Sequence, residues 1–138
     1  MSVVESLVEA ITNEDIDAFG SLYAEDAVLY EPLLPEPARG RNQIVEGESA
    51  LFRAFSDISI AVRKAIESGA LAIAEVVLNA TNDGPLDVGA GEVPPTGRRI
   101  EVPMVWSLDL DGDGLVAEER DYFDTARIMQ QLGLGGDA

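Results

Sequence analysis

The sequence predicts an α+β domain: a curved antiparallel sheet with the helices laid against one of its faces. Two observations carry that expectation. Apolar residues recur at helical spacing through roughly the first third of the chain and then switch to alternation, the period of strands. The strand-like stretches then follow one another with no intervening helix, which gives antiparallel pairing and segregates the helices to one side.

Val4, Leu7, Val8 and Ile11 place an amphipathic helix over residues 2–11. Thr12-Asn13-Glu14-Asp15 breaks it and opens a second helix with acids in its first turn, where the helix dipole favours negative charge. Ile16, Phe19, Leu22 and Tyr23 form the apolar face of that second helix. Ala27–Glu31 reads as a short strand stopped by Pro32, Pro35 and Pro37. After Arg39-Gly40-Arg41, the residues Ile44, Leu51, Phe52 and Phe55 define a third helix. Ile58, Ile60 and Val62 alternate as a strand, and three more strands follow over 70–81, 98–110 and 115–123. Asp111-Gly112-Asp113-Gly114 has the turn chemistry to join the last two as a hairpin. Asp124 or Thr125 caps a final helix that runs to Leu132, and Gly133 stops it.

The chain is 138 residues long, the size of one domain, with the ordered fold expected over about 2–132 and a Gly-rich tail at 133–138. It has 26 acidic residues, nine basic ones, no His and no Cys, for a net charge of −17. The missing residue types exclude a disulfide, a cysteine nucleophile, a Cys/His zinc site and a histidine base. No cofactor and no metal are expected, and a surface this acidic does not suit a nucleic-acid partner. Asp109-Leu110-Asp111-Gly112-Asp113-Gly114 has the look of a calcium loop, but Arg120 stands where such a loop needs its bidentate Glu. No apolar run approaches the ~20 residues of a membrane span. The N-terminus carries acids where a signal peptide carries bases, so the chain reads as cytoplasmic and the sequon at Asn79 as accidental.

The order of elements, together with two strings, resembles the nuclear transport factor 2-like superfamily, in particular its SnoaL-like polyketide cyclases and limonene epoxide hydrolases. The strings are Tyr30-Glu31-Pro32 running to Gly40-Arg41, and Arg120-Asp121-Tyr122-Phe123-Asp124 before the last helix. The resemblance covers residues 2–132 and implies a cone-shaped, cystatin-like fold around an apolar pocket, with the N-terminal helices on the concave side of the sheet. It also implies an acid/base role for Asp121. The epoxide hydrolases pair that Asp with an Arg and a second Asp on an earlier strand, where this chain has Val76 and Leu78. Their water-positioning Asn corresponds to Pro32, so epoxide hydrolysis by that route is not expected.

Strand alternation puts Asp121 on one face with Glu119 and Phe123. If that face lines the pocket, apolar walls raise its pKa; otherwise it is one more surface carboxylate. Glu119 is either a second pocket carboxylate or a rim residue. Tyr30 is either a hydrogen-bond donor to a ligand oxygen or a wedge between helix and sheet. Trp106 and Met104 share a strand face and are pocket wall, core or dimer contact. Val76 and Leu78 belong to an apolar stripe that is wall or core. Glu75 and Glu101, on the opposite strand faces, are expected to pair across strands with Arg98, Arg99 or Arg120. The loop 82–97, with three Pro and four Gly, is a lid, a surface excursion or a dimer clasp.

The expected function is an isomerase or aldol-type cyclase acting without cofactor on a small apolar carbonyl compound, with Asp121 and Tyr30 as its chemical groups. The alternatives are a non-catalytic binder of an apolar metabolite and an interaction protein; a homodimer through the sheet fits each of them.

The nine cations are eight Arg and one Lys, Lys64. Lys depletion beside excess acid suits a solvent of concentrated salt, where the Debye length shortens to about 3 Å at 1 M and self-repulsion is screened. The melting temperature is therefore expected to rise between dilute buffer and molar KCl, as followed by circular dichroism; an unchanged value would remove this reading of the composition.

Overall fold

A computed structural model describes residues 1–87 and 91–134. Helix α1 (Val3–Thr12) begins at a capping box: the Ser2 hydroxyl accepts from the Glu5 amide and the Glu5 carboxylate accepts from the Ser2 amide. Val4, Leu7, Ala10 and Ile11 are its buried stripe. Helix α2 (Ile16–Gly20) is capped by Asp15 and is shorter than the apolar spacing predicts. Leu22 and Tyr23 leave it because the Leu22 carbonyl accepts from the Val116 amide, drawing the chain into the sheet. Sheet pairing outweighs helical spacing here, and Tyr23 opens strand β1 (Tyr23–Tyr30).

Strand β2 (Ala38–Arg39) leads into helix α3 (Arg41–Ala54). Phe55, expected on that helix, instead starts strand β3 (Phe55–Ser68), where it pairs with Asn82 of strand β4 (Leu71–Asn82). A two-stranded excursion, β5 (Leu86–Asp87) and β6 (Glu92–Val93), precedes the long strand β7 (Arg99–Leu110). Strand β8 (Val116–Tyr122) and helix α4 (Thr125–Leu132) complete the described fold. The tail expectation beyond Leu134 lies outside the described residues.

The main sheet runs β2-β1-β8-β7-β4-β3. Its pairings are antiparallel except β1 with β8, which are parallel, a departure from the purely antiparallel expectation. The inner, concave face carries Ala72, Ala74, Val76, Leu78 and Ala80 of β4 beside Leu108, Trp106, Met104, Val102 and Ile100 of β7. Helices α1, α2 and α3 cover one end of that face, and α4 closes the other by burying Ile128 and Leu132 against Ile100, Val102 and Leu86. Asp124 caps α4, and Gly133, in the left-handed region at φ 75°, ends it. The β7–β8 turn is a hairpin turn: Asp111 Oδ1 accepts from the amides of Asp113 and Leu115. Among the described residues no group of acids is arranged to hold a metal ion.

The outer face is polar with apolar interruptions: Ile66, Ile73 and Tyr122 are exposed. Its ion pairs differ from the expected ones, with Arg99 on Asp57 at 2.8 Å, Arg120 on Glu118 at 3.0 Å and Arg127 on Glu101 at 3.9 Å. Glu101 thus meets the last helix rather than a neighbouring strand.

Fully buried Asn82 anchors the base of the 82–97 loop. Its amide nitrogen donates to the carbonyls of Ala54 and Gly84, both at 3.0 Å, and its amide oxygen accepts from the Thr96 amide and hydroxyl, both at 2.9 Å. Leu86 is buried against the α4 end of the core, while Val88, Gly89 and Ala90 lie outside the described residues. Removing the Asn82 amide strands buried polar groups, each costing ~1–3 kcal/mol. Asn82→Ala is expected to lower the unfolding free energy by about 3 kcal/mol in urea titrations. A change below about 1 kcal/mol would mean that the loop base holds without it.

Candidate active site

Strand β8 sets the site. In its register with β7, Glu119 faces Leu108 and Asp121 faces Trp106, so both carboxylates enter the concave face. Glu118, Arg120 and Tyr122 take the outer face by alternation. Asp121 and Glu119 therefore lie where the sequence predicts, with Met104, Val76 and Leu78 on the same face. Trp106 and Val76 are buried in the core, whereas Met104 and Leu78 stay half-buried although they point inward. Phe123, just past β8, is half-buried against the α4 cluster. Met104 packs against both core clusters and Leu78 against the α4 one, and Asp121 lies on the face they share.

Tyr30 does not join them. In the parallel register it stands beside Arg120 on the outer face, and the guanidinium lies 4.0 Å over its ring. The phenol that does reach the site is Tyr23, at the other end of β1. It is fully buried, its ring centroid 5.0 Å from that of Phe19, and its hydroxyl donates to Glu119 Oε1 at 2.5 Å. Arg41 holds the start of the strand by donating from Nε and Nη2 to the Tyr23 carbonyl at 3.0 and 2.9 Å. Burial, and then the adjacent Glu119 charge, push the Tyr23 pKa well above its ordinary value, so it stays a donor.

Two further carboxylates approach from other elements. Glu48 lies on the apolar stripe of α3, one turn after buried Ile44 and one turn before Leu51 and Phe52. Burial, with Glu119 and Glu31 nearby, lifts its pKa to about 8. Glu31 follows β1, its Oε1 accepting from the amides of Leu33 and Leu34; burial raises its pKa and those two amides pull it back. Asp121 is affected most. Burial comes first, then the Glu119 charge, a hydrogen bond shared with Glu119, and the charges of Glu31 and Glu48, so its pKa stands well above the usual carboxylate range. Its Oδ1 is buried without a hydrogen-bond partner. Among the described residues no Lys or Arg forms an ion pair with any of these four acids.

Tyr23, Glu31 and Glu48 were not readable as site residues from composition or string matching. Glu48 had a signal: it is the acid that interrupts the Ile44–Leu51–Phe52 stripe.

A concave sheet closed by helices around an inward-facing carboxyl cluster defines a protein of the nuclear transport factor 2-like, ketosteroid isomerase-like class. Within it the chain belongs to the SnoaL-like polyketide cyclase family, whose model matches residues 2–132. Among solved structures it is similar to the SnoaL-like protein from Jannaschia sp. CCS1, at 21% identity over 98% of this chain and 91% of that one, with a TM-score of 0.82. IdmH, a candidate polyketide cyclase from Streptomyces antibioticus, is 25% identical over 95% of this chain and 96% of that one, with a TM-score of 0.77. The limonene epoxide hydrolase-like enzyme from M. tuberculosis is 22% identical over 96% and 88%, with a TM-score of 0.71. No curated protein matches.

Raised carboxyl pKa values have a defined sign in stability. Folded Asp121 and Glu48 retain protons that the unfolded chain releases near pH 4. Their stabilising contribution is complete below that pH and is lost as pH rises towards about 8 for Glu48 and through the raised Asp121 pKa. Each contributes a slope of at most ~1.4 kcal/mol per pH unit. Unfolding free energy is expected to fall between pH 5.5 and 8 at fixed salt, and less steeply in Asp121→Asn and in Glu48→Gln. Parallel pH profiles for all three proteins would show that these carboxyls titrate normally.

Proposed function

We propose that the chain is a cofactor-independent acid/base catalyst, an isomerase or aldol-type cyclase acting on a small and largely apolar carbonyl compound. One observation carries the reading: the Asp121 carboxyl stands on an apolar face with a buried, unpartnered oxygen and a raised pKa. A carboxylate in that setting is a stronger base than one in water, and its acid form holds a proton at neutral pH.

In the reaction, ionised Asp121 takes the proton from the carbon next to the carbonyl. The C–H bond breaks, an O–H bond forms on Asp121, and the electron pair moves through the new C=C bond onto the carbonyl oxygen. Proton-bearing carboxyls of the cluster offer hydrogen bonds to that oxygen, Glu48 being mostly protonated at neutral pH with its pKa near 8. The proton on Asp121 then returns to a different carbon in an isomerase. In a cyclase, the enolate carbon attacks a second carbonyl and the proton goes to the alkoxide formed. Tyr23 positions the pair by holding Glu119. The apolar Val76 and Leu78 offer no partner for activating water, which favours carbon chemistry over epoxide opening.

The test is exchange of α-protons of small cyclic ketones and 1,3-diketones in deuterated buffer, followed by proton NMR. Wild-type protein is expected to accelerate exchange over buffer, and Asp121→Asn to lose at least ~100-fold of that acceleration. Equal exchange with both proteins would defeat the catalytic reading and leave the pocket as a binding site for an apolar metabolite.

A further inference from the structure

The site gathers four acids and offers them no base. Glu119 and Asp121 share the inward face of β8, and Glu31, just after β1, and Glu48, on α3, come near enough to raise the Asp121 pKa. The other titratable group facing them is Tyr23, which donates to Glu119. Arg41 is spent on the Tyr23 carbonyl, and Arg120, between Glu119 and Asp121 on β8, lies on the outer face over Tyr30 and pairs with Glu118. A neutral ligand can accept hydrogen bonds from the protonated carboxyls but leaves any negative charge of the cluster unpaired. An inorganic cation is disfavoured, because the described acids are not grouped as metal ligands and the surrounding walls are apolar. What remains is a positive charge carried on a carbon frame, and Asp121 Oδ1 is the buried acceptor left open for it.

We propose that this pocket selects ligands bearing a cationic nitrogen, a protonated or quaternary amine, set in an apolar frame. The proposal rests on the reading of the Asp121 pocket as the ligand site and adds the charge of what enters it. The ammonium pairs with the carboxyl cluster, while Phe52, Phe123, Met104 and Leu78 supply apolar and aromatic surface of the kind that accommodates such groups. Because the acids share protons in the empty site, the arriving charge expels one to solvent. A substrate of this class thereby ionises Asp121 as it binds and prepares it to act as the base.

Calorimetry with quaternary ammonium ions of increasing frame, from choline to benzyltrimethylammonium, tests this directly, since their charge does not titrate. Each is compared with a neutral analogue, 3,3-dimethylbutan-1-ol for choline and benzyl alcohol for the larger ion. At least one cation is expected to bind tenfold or more tighter than its neutral counterpart, with a preference that grows as pH rises from 6 to 8. Titrations in buffers of different ionisation enthalpy are expected to show proton release. Asp121→Asn, and independently Glu48→Gln, are expected to shrink the preference of cation over neutral analogue several-fold. Both variants are checked for a native circular dichroism spectrum and a cooperative melt.

No preference for any cation, or a preference that both folded variants retain, would overturn the proposal. That failure is distinct from failure of the catalytic reading. Ketone exchange that depends on Asp121 without cation preference removes only the charge assignment, and cation binding without exchange removes only the catalysis.

Discussion

The hydrogen bond from Tyr23 to Glu119 is the contact on which the interior depends. A carboxylate driven into an apolar face costs several kcal/mol unless something satisfies it. Here the Tyr23 hydroxyl does so at 2.5 Å, and the consequences spread outwards. It requires the first residue of β1 to lie under β8, which accompanies the one parallel pairing in the sheet. It requires α2 to stop early, so that Tyr23 enters the sheet behind Phe19 rather than extending the helix. It places Arg41 at the head of α3 against the Tyr23 carbonyl, and so sets where that helix, with Glu48 on it, begins. Since the phenol is committed to Glu119, the next inward acid on β8 has no such donor, and Asp121 keeps its proton instead.

Much of this was legible because period encodes face. The order of helices and strands, the inward set on β4 and β7, and the shared face of Glu119, Asp121 and Phe123 all follow from alternation or helical spacing. What alternation cannot supply is the origin of a strand. Tyr30 looked like the site phenol because it belongs to a recognisable string, yet Ala27 and Leu29 are the inward residues of that stretch, and Tyr30 has the opposite parity. Tyr23 was assigned to a helix, so its parity in the strand could not be counted at all. Glu48 was hidden differently. In a chain with 26 acids a lone Glu attracts no notice, and only its position inside an apolar helical stripe distinguishes it. The end of the third helix is not legible because it is fixed by a long-range partner, Phe55 pairing with Asn82 of β4.

The acids of this chain thus do two unrelated kinds of work. Those on the outer face and the exposed sides of the helices remain hydrated, where a pair such as Arg99–Asp57 is worth little and the salt of the solvent decides how strongly they repel. Those on the inner face are few and desolvated, and burial first, then neighbouring charge, raises the pKa of Asp121, Glu48 and Glu31. A chain without histidine or cysteine obtains side chains that titrate near neutrality by this second route, and Glu48 near 8 is an instance of it.

The inward stripe of β4 completes the electrostatics by what it lacks. Ala72, Ala74, Val76, Leu78 and Ala80 carry no charge, so the sheet offers the carboxyls of β8 no cation across the cavity. An Arg at such a position would hold Asp121 ionised and hydrogen-bonded, suited to gripping water beside a polar partner. With Val76 and Leu78 there instead, the acid is left in a dry setting, and its charge state becomes a function of what occupies the cavity. An empty site holds protons on Asp121 and Glu48 into the neutral range, and under the proposal above a bound positive charge displaces one of them. The apolar stripe of β4, which sets no cation opposite Asp121, is thus the feature that would couple its proton to the charge of a ligand.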